Sequence, residues 1–400
     1  MGSKGRGPSH RGARGVQGGG RTWWRSKGLV FWFFTVAFLV STVACLFLVS
    51  RSGRGVGWRD AGGVAIPRWL EGEDALFSVG LITDLQYSDI PDRTMRYGGA
   101  RRYYRNSLAV LREAREAWRE ANATTVMVLG DSIDRSTLEV SGGNEPGVAL
   151  ERVVRGFEGL QPNFVLGNHD VEAIPSRSEL LGALGMGGWG EGAAHYALRP
   201  HQGTKFLVLD AYAVSVYTDE RRGEALSTLA RERGDLEGNL KGPGGLKGLR
   251  RRFNALGGEL GGDQMRWLER EIRESEGLGE NVVVFSHIPI SPSAVSWGCG
   301  PMCLAWDYDV LLDLLRRSRC VKAFFAGHDH AGGFHSERAY DAKLRAAAGR
   351  GGARILHHVT VEGVIETPVG STAFATLEFH GRGILLRGRG RIRTRWLPFR

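Results

Sequence analysis

Four hundred residues suit one large domain or two ordinary ones and suffice for a sizeable buried core. The net charge of +10 sits at the ends: residues 1–59 hold ten Lys/Arg and no acid, the last 22 residues hold seven Arg and no acid, and residues 60–378 come to −7. A body of that sign requires no nucleic-acid partner, and none is expected. Four cysteines, one of them (Cys45) inside an apolar stretch, imply no disulfide framework.

Residues 1–28, rich in Gly, Arg and Ser, are expected to be a disordered basic segment. Residues 29–50 (LVFWFFTVAFLVSTVACLFLVS) are 22 in number without a charge. They reach across a bilayer core at ~1.5 Å per residue. Seven Lys/Arg precede the stretch and three follow it closely. The positive-inside bias therefore gives a single-pass protein with a cytosolic N-terminus and a lumenal or extracellular body. Small residues at Thr42-Val43-Ala44 leave a second reading open, a secreted protein after signal cleavage, and an organellar presequence is a third. Residues 51–74 read as a linker, and one catalytic domain is expected over 75–395.

From there strand-like and helix-like runs alternate. Strand Phe77–Thr83 precedes a helix over Arg101–Ala121, whose Leu108, Leu111, Ala114 and Trp118 recur on one face. Strand Thr125–Leu129, a helix near Val148–Phe157 and strands Asn163–Leu166 and Lys205–Leu209 follow. The charged, Gly-rich insertion Thr218–Arg252 is expected to cover the surface. A helix over Gly262–Glu276 leads into strand Val282–Phe285, then a loop with Trp297 and Trp306, helix Tyr308–Arg317 and strand Val321–Ala326. Cys320 reads as a buried thiol, and a Cys299–Cys303 bridge is open to a lumenal body. The last third changes to alternating runs, Ile355–Val361, Thr372–Phe379 and Ile384–Arg387, expected to pair antiparallel. The fold class is α/β, two packed sheets with helices outside.

Five islands of acid, amide and histidine each follow one of these strands: Asp84-Leu85-Gln86, Gly130-Asp131-Ser132-Ile133-Asp134, Gly167-Asn168-His169-Asp170, Ser286-His287 and Gly327-His328-Asp329-His330. Singly, each has an ordinary reading as a helix N-cap, a turn or a satisfied core histidine. Jointly, at successive strand exits, they place ligands along one sheet edge for two hard divalent cations. A carboxylate bridges two cations best, so Asp131 is the expected bridge. Asp84, Gln86 and His330 would complete one metal, and Asn168, His287 and His328 the other. His328 and His330 would diverge in extended backbone, and a turn at Gly327 is expected to re-aim them. His169 is expected to face the substrate and to stabilise or protonate the leaving oxygen, oriented by Asp134. The expected nucleophile is a hydroxide bridging the metals. Asp170 and Asp329 read as structural.

These islands resemble the calcineurin-like metallophosphoesterase superfamily, whose pattern is D-x-H, GD-x-x-D, GNH-D/E, an isolated H and GH-x-H. Gln86 stands where most members have histidine. That departure, with RRYYRNS (Arg101–Ser107), CLAWDY (Cys303–Tyr308), GHDHAGGF (Gly327–Phe334) and HHVTVEGVIET (His357–Thr367), resembles the manganese-dependent ADP-ribose/CDP-alcohol diphosphatase branch. The similarity runs from Phe77 to about Ile392. It implies the superfamily's two packed mixed β-sheets, two divalent cations (Mn²⁺ preferred, Mg²⁺ accepted) and a nucleoside diphosphate-linked small-molecule substrate. ADP-ribose, CDP-choline or CDP-glycerol would be cut within the diphosphate, giving a nucleoside monophosphate and a phosphorylated sugar or alcohol. An amide oxygen replacing an imidazole nitrogen hardens the site, favouring Mn²⁺ or Mg²⁺ over zinc.

Arg135, where the branch has Gly, and the differing segment Val171–Ser176 both flank the cleft and bear on nucleotide preference. A phosphomonoesterase or protein phosphatase on the same scaffold is the alternative. A membrane-tethered, non-catalytic recognition module is a third reading, against which seven intact ligand positions speak. Among weaker signals, Arg101, Arg102 and Arg105 would clamp a diphosphate and Tyr103 or Tyr104 would stack on a base. The plain reading there is a basic helix start with one core tyrosine. Trp297 and Cys303 lie where a pocket wall is expected, Trp306 reads as core, and the tail Arg387–Arg395 reads as a polar strand face.

Overall fold

Apolar, β-favouring runs become the inner strands of two six-stranded sheets, because a strand covered on both faces has no solvent side to vary. The computed structural model describes residues 66–70, 72–95, 99–140, 145–186, 194–234, 236–339 and 354–400. The expected basic segment, the expected membrane span and most of the expected linker therefore lie outside the described residues. Among those described, no helix is long and apolar enough to cross a membrane.

In chain order the strands are β1 (Phe77–Ile82), β2 (Arg93–Thr94), β3 (Arg101–Arg102), β4 (Thr125–Val128), β5 (Gln161–Phe164), β6 (Tyr196–His201), β7 (Thr204–Val208), β8 (Asn281–Phe285), β9 (Val321–Ala326), β10 (Gly333–Ala339), β11 (Arg354–Thr360), β12 (Ala373–His380), β13 (Gly383–Gly390) and β14 (Arg395–Pro398). One sheet runs β14-β13-β12-β1-β4-β5 and the other β10-β11-β9-β8-β7-β6, with β2-β3 a small ribbon. Both sheets are mixed. β1, β4 and β5 are parallel, as are β7, β8, β9 and β11, while β12–β14, β6 and β10 pair antiparallel.

The sheets pack face to face through aromatic side chains. Phe379 of β12 lies 4.3 Å from Phe77 of β1 and 5.4 Å from Phe206 of β7, centroid to centroid. Over the outer face of the first sheet, Trp118 on helix Asn106–Glu120 is fully buried and its Nε1–H donates to Ala375 O at 2.9 Å. Replacing such a residue by Ala costs roughly 3–5 kcal/mol.

Several expected boundaries move for identifiable reasons. The helix expected from Arg101 starts at Asn106, because Tyr103 N–H donates to Ile365 O (2.7 Å) and Arg101–Arg102 pair with Arg93–Thr94. The insertion Thr218–Arg252 contains helix Arg222–Arg233, whose Ala225 and Leu229 build a satellite core with Phe253 and Trp306. Strand β6 escaped notice because Arg199 and Pro200 interrupt its apolar pattern, which an edge strand tolerates.

Candidate metal centre

The carboxyl ends of β1, β4 and β5 in one sheet and of β8 and β9 in the other deliver all five islands to one edge. Asp84, Asp131 and His287, all buried, bring candidate ligand atoms within 4.8 Å of one another. Gln86 Nε2 donates to Asp131 Oδ2 (3.0 Å) and lies 2.9 Å from His330 Nε2. His330 Nε2 is 3.3 Å from Asp84 Oδ1, and His328 Nδ1 is 3.2 Å from His287 Nε2. Asn168 is linked through Tyr212, whose hydroxyl donates to its Oδ1 at 3.3 Å. Six of the seven expected ligands are thus joined by direct contacts, and Asn168 adjoins them through His169, whose N–H donates to Asp131 Oδ1 at 2.7 Å.

The backbone is strained at the same place. Five non-glycine residues among those described have positive φ, and four of them are Asp84 (50°), Gln86 (44°), Asp131 (53°) and His328 (68°). Each such residue costs of order 1–3 kcal/mol unless its surroundings enforce it. The turn that separates His328 from His330 is made at His328 itself, not at Gly327 as the sequence suggested. Gly130 (φ 95°) cannot be replaced, since a Cβ there would sit 2.5 Å from His287 Nδ1.

The donor set fits a divalent cation. Asp84 Oδ1 and Gln86 Oε1 are buried without a hydrogen-bond partner. Turning the Gln86 amide over would direct Oε1 at Asp131 and His330, an arrangement that calls for positive charge between them. His287 Nδ1–H donates to Leu129 O (2.7 Å), so its neutral ring aims an unprotonated Nε2 toward Asp131 Oδ2, 3.5 Å away. Carboxylate and amide oxygens with imidazole nitrogens, and no thiolate, suit hard to borderline ions.

Protonation follows the same logic. Burial, then the Asp84 and Asp170 carboxylates, push Asp131 well above the usual range. Burial would raise Asp84 too, but the neighbouring His330 outweighs it and holds Asp84 low. Burial alone would lower His330, yet Asp84 and Glu366 push it up to about 9. The charge that Asp84 draws onto His330 is the charge a cation would supply. Burial lowers His287, and burial with the His287 ring beside it lowers His328, so both rings are neutral and ready to ligate.

His169 and Asp134 stand together beside this cluster. His169 Nδ1 accepts from Arg135 N–H (3.1 Å) and lies 3.3 Å from Asp134 Oδ2. Asp134 also accepts from Arg102 Nη1 (3.0 Å) and Ser136 N–H (2.8 Å). Burial lowers His169 to about 3, only partly opposed by Asp134, so the imidazole is neutral at physiological pH. Asp170 accepts from three backbone N–H groups, of Ser132, Ile133 and Gly167, and Asp329 accepts from Ser296 Oγ–H at 2.9 Å.

The outer residues fall differently from expectation. Tyr104 is 3% exposed, packed with Ile90 and Ile365, and has no face to offer a base. Arg105 pairs with Asp89 (2.6 Å) on the surface, while Arg102 is the arginine that reaches the site. Cys303 is buried and bonded to Cys299, so its sulfur is not a free contact. Trp306 is core and Trp297 is 100% exposed.

Two participants were missed. Glu366 Oε1 lies 3.1 Å from His330 Nδ1, inside the HHVTVEGVIET stretch to which no task had been given. Tyr212 lies in the loop after β7 and carries none of the acid, amide or histidine groups that marked the five islands.

A family model described as calcineurin-like phosphoesterase matches residues 77–332. A Danio rerio protein named manganese-dependent ADP-ribose/CDP-alcohol diphosphatase is 34% identical, over 80% of this chain and 97% of its own length. Proteins of that name from Oryza sativa subsp. japonica (33%; 79% and 92%) and Homo sapiens (30%; 82% and 95%) are similar too. The crystal structure of a dimetal phosphatase from Danio rerio, 32% identical, superposes with a TM-score of 0.71, covering 82% of this chain and all of that one. The chain belongs to the calcineurin-like phosphoesterase family, with its mixed-sheet α/β fold, and within that family it is a homologue of the manganese-dependent ADP-ribose/CDP-alcohol diphosphatases.

Proposed function

We propose that this protein is a manganese-dependent diphosphatase that hydrolyses ADP-ribose and CDP-alcohols to a nucleoside monophosphate plus a phosphorylated sugar or alcohol. The observation that carries the reading is the full donor set, Asp84, Gln86, Asp131, Asn168, His287, His328 and His330, in a chain alignable with nearly the whole of relatives that bear that name. Bound cations would polarise a phosphoryl oxygen and lower the pKa of a water nucleophile.

The chain's own residues do the rest. Asp131, held by His169 N–H and Gln86 Nε2, faces both halves of the donor set. His169, neutral, can hydrogen-bond the departing oxygen through Nε2. Its other nitrogen accepts from Arg135 N–H, with the Asp134 carboxylate 3.3 Å away. A departing phosphate monoester, with second pKa about 6, needs little protonation, which suits a histidine of low basicity. Arg102, tied to Asp134, adds positive charge on the same side.

Arg135 gives the phosphomonoesterase alternative no support, because its guanidinium is paired with Glu172 (2.8 Å) and Lys241 shares that carboxylate. The full chain, purified with Mn²⁺, should turn over ADP-ribose and CDP-choline far faster than p-nitrophenyl phosphate. Preference for the monoester would sink the reading.

The uncharged stretch 29–50 supports a membrane anchor with the catalytic body on the lumenal or extracellular side. The Cys299–Cys303 bond favours the same placement, since disulfides persist in oxidising compartments. Protease digestion of intact vesicles tests this, and cleavage of the body from the cytosolic side would overturn it.

A further inference from the structure

Beyond the matched family region, the chain returns to the metal centre and braces it. Three successive N–H groups of residues 363–365 bond to the backbone of the ligand loops: Gly363 to His330 O (3.1 Å), Val364 to Thr83 O (3.2 Å) and Ile365 to Asp84 O (2.9 Å). The next residue, Glu366, places Oε1 3.1 Å from His330 Nδ1. Gly363 packs so closely that an added Cβ would lie 3.0 Å from His330 Cδ2 and 3.1 Å from Asp84 Cβ. From still further along, Arg391 Nη1 donates to Gly363 O (2.6 Å) and Nη2 to His330 O (3.1 Å), with Nη2 3.8 Å from Glu366 Oε2.

The chemistry of this arrangement concerns the imidazole. A histidine that ligates through Nε2 must carry its proton on Nδ1, and a carboxylate accepting from Nδ1–H fixes both tautomer and ring plane. His330 Nε2 faces Asp84 Oδ1 and Gln86 while Nδ1 faces Glu366, so the ring is strung between the ligand cluster and the brace.

We propose that Glu366 is a positioning residue for one of the two metals. It holds His330 as the Nδ1–H tautomer with Nε2 toward the cation shared with Asp84 and Gln86, and Arg391 fixes the segment that carries it. The inference rests on the metal-centre reading above. It adds that the stretch after residue 332, which the family model does not reach, sets the affinity of a single site.

Manganese binding to the full chain, followed by calorimetric titration and by the electron paramagnetic resonance of free Mn²⁺, tests this without recourse to activity. Wild type should bind two ions. Glu366→Ala should weaken one of them roughly 10–100-fold and leave the other within about twofold, the range typical for loss of a partner behind a ligating histidine. Glu366→Gln, whose amide oxygen still accepts from Nδ1–H, should recover much of the loss, and Arg391→Lys should lose less than Glu366→Ala at the same site. Unchanged affinity at both sites overturns the proposal. So does equal weakening of both ions with a lowered melting temperature of the metal-free variant and no rescue by Gln, which marks a merely structural residue. Failure of wild type to bind manganese would sink the metal-centre reading itself, and this inference with it.

Discussion

Replacing Asp131 with Asn should stabilise the metal-free protein while abolishing its response to manganese. Asp84 and Asp131 hold carboxylate oxygens within 4.8 Å of each other in a fully buried setting. At an effective dielectric of ~20, two unit charges at that separation repel by about 3 kcal/mol. Burial and the neighbouring Asp84 and Asp170 already push the Asp131 carboxyl upward, so part of that repulsion is relieved by proton uptake. A net gain of roughly 1–2 kcal/mol is therefore the working figure. The amide exchange costs little by itself. Asn can still accept from His169 N–H, and Gln86 has a spare Oε1 to turn toward an Asn donor. The gain should raise the melting temperature of chelator-treated protein by roughly 1–3 °C. Wild type with Mn²⁺ at ~100 times its dissociation constant should gain about 2.7 kcal/mol on top, and Asp131→Asn nothing. Turnover should fall by ~10³-fold or more, about 4 kcal/mol of barrier. His169→Ala is the contrast: it should keep the manganese shift in melting temperature and lose less activity than Asp131→Asn. Differential scanning fluorimetry with and without Mn²⁺ decides the matter. The reasoning fails if metal-free Asp131→Asn melts at or below wild type, or if the variant keeps the wild-type manganese shift.

Gln86→His should move metal preference toward zinc, because an imidazole nitrogen softens the position that now offers an amide. Competition between Zn²⁺ and Mn²⁺ at fixed total metal would show it, and an unchanged preference would mean that Gln86 does not set metal choice. Away from the site, Glu337 should make the fold acid-labile. Burial would raise its pKa, but hydrogen bonds from His358 and Arg316 outweigh burial and hold it at about 2. A carboxylate depressed in this way contributes fully above its ordinary value of 4.5 and loses the contribution as pH falls from there toward 2. Its side chain is 17% exposed, so about 2–3 kcal/mol is at stake. Urea unfolding between pH 5 and 2.5 should show a shallower decline for Glu337→Gln than for wild type, and parallel declines would discount the pair.

The legible part of this molecule was whatever repeats a simple local rule. β-favouring runs lead into five acid, amide or histidine islands whose residues do meet at one edge of the two sheets, whereas Asp210, which follows Leu209 in the same way, pairs with Arg177 instead. Helix Tyr308–Arg317 was readable to the residue, since its apolar spacing is undisturbed and Ser318 leaves the helical region. What escaped depended on distant partners. Arg102 could be told from Arg105 only once Asp134 and Asp89 had been placed in space. Glu366 looked like any acid in a loop until the fold set it against His330, 36 positions earlier in the chain. Tyr104 carries a ring whose face is decided by Ile90 and Ile365, neither of them near it in sequence. The left-handed turn at His328 has no local signature either, because histidine seldom adopts that conformation unless packing compels it.

The pairing of β1 with β12 bears on how the protein is made. Phe77 lies opposite Phe379, so the strand that carries Asp84 and Gln86 waits for a partner synthesised about 300 residues later. Until then one long edge of β1 is an open template for other chains, and the loops on either side of Asp84 lack the segment that pins them. Late, sequence-distant pairings of this kind slow folding and favour aggregation of nascent chains. The loops that carry Asp84 and His330 acquire their brace only once residues 363–366 have been made. A version truncated after residue 332 would carry every candidate ligand yet lack both the strand that pairs with β1 and the segment that braces Asp84 and His330.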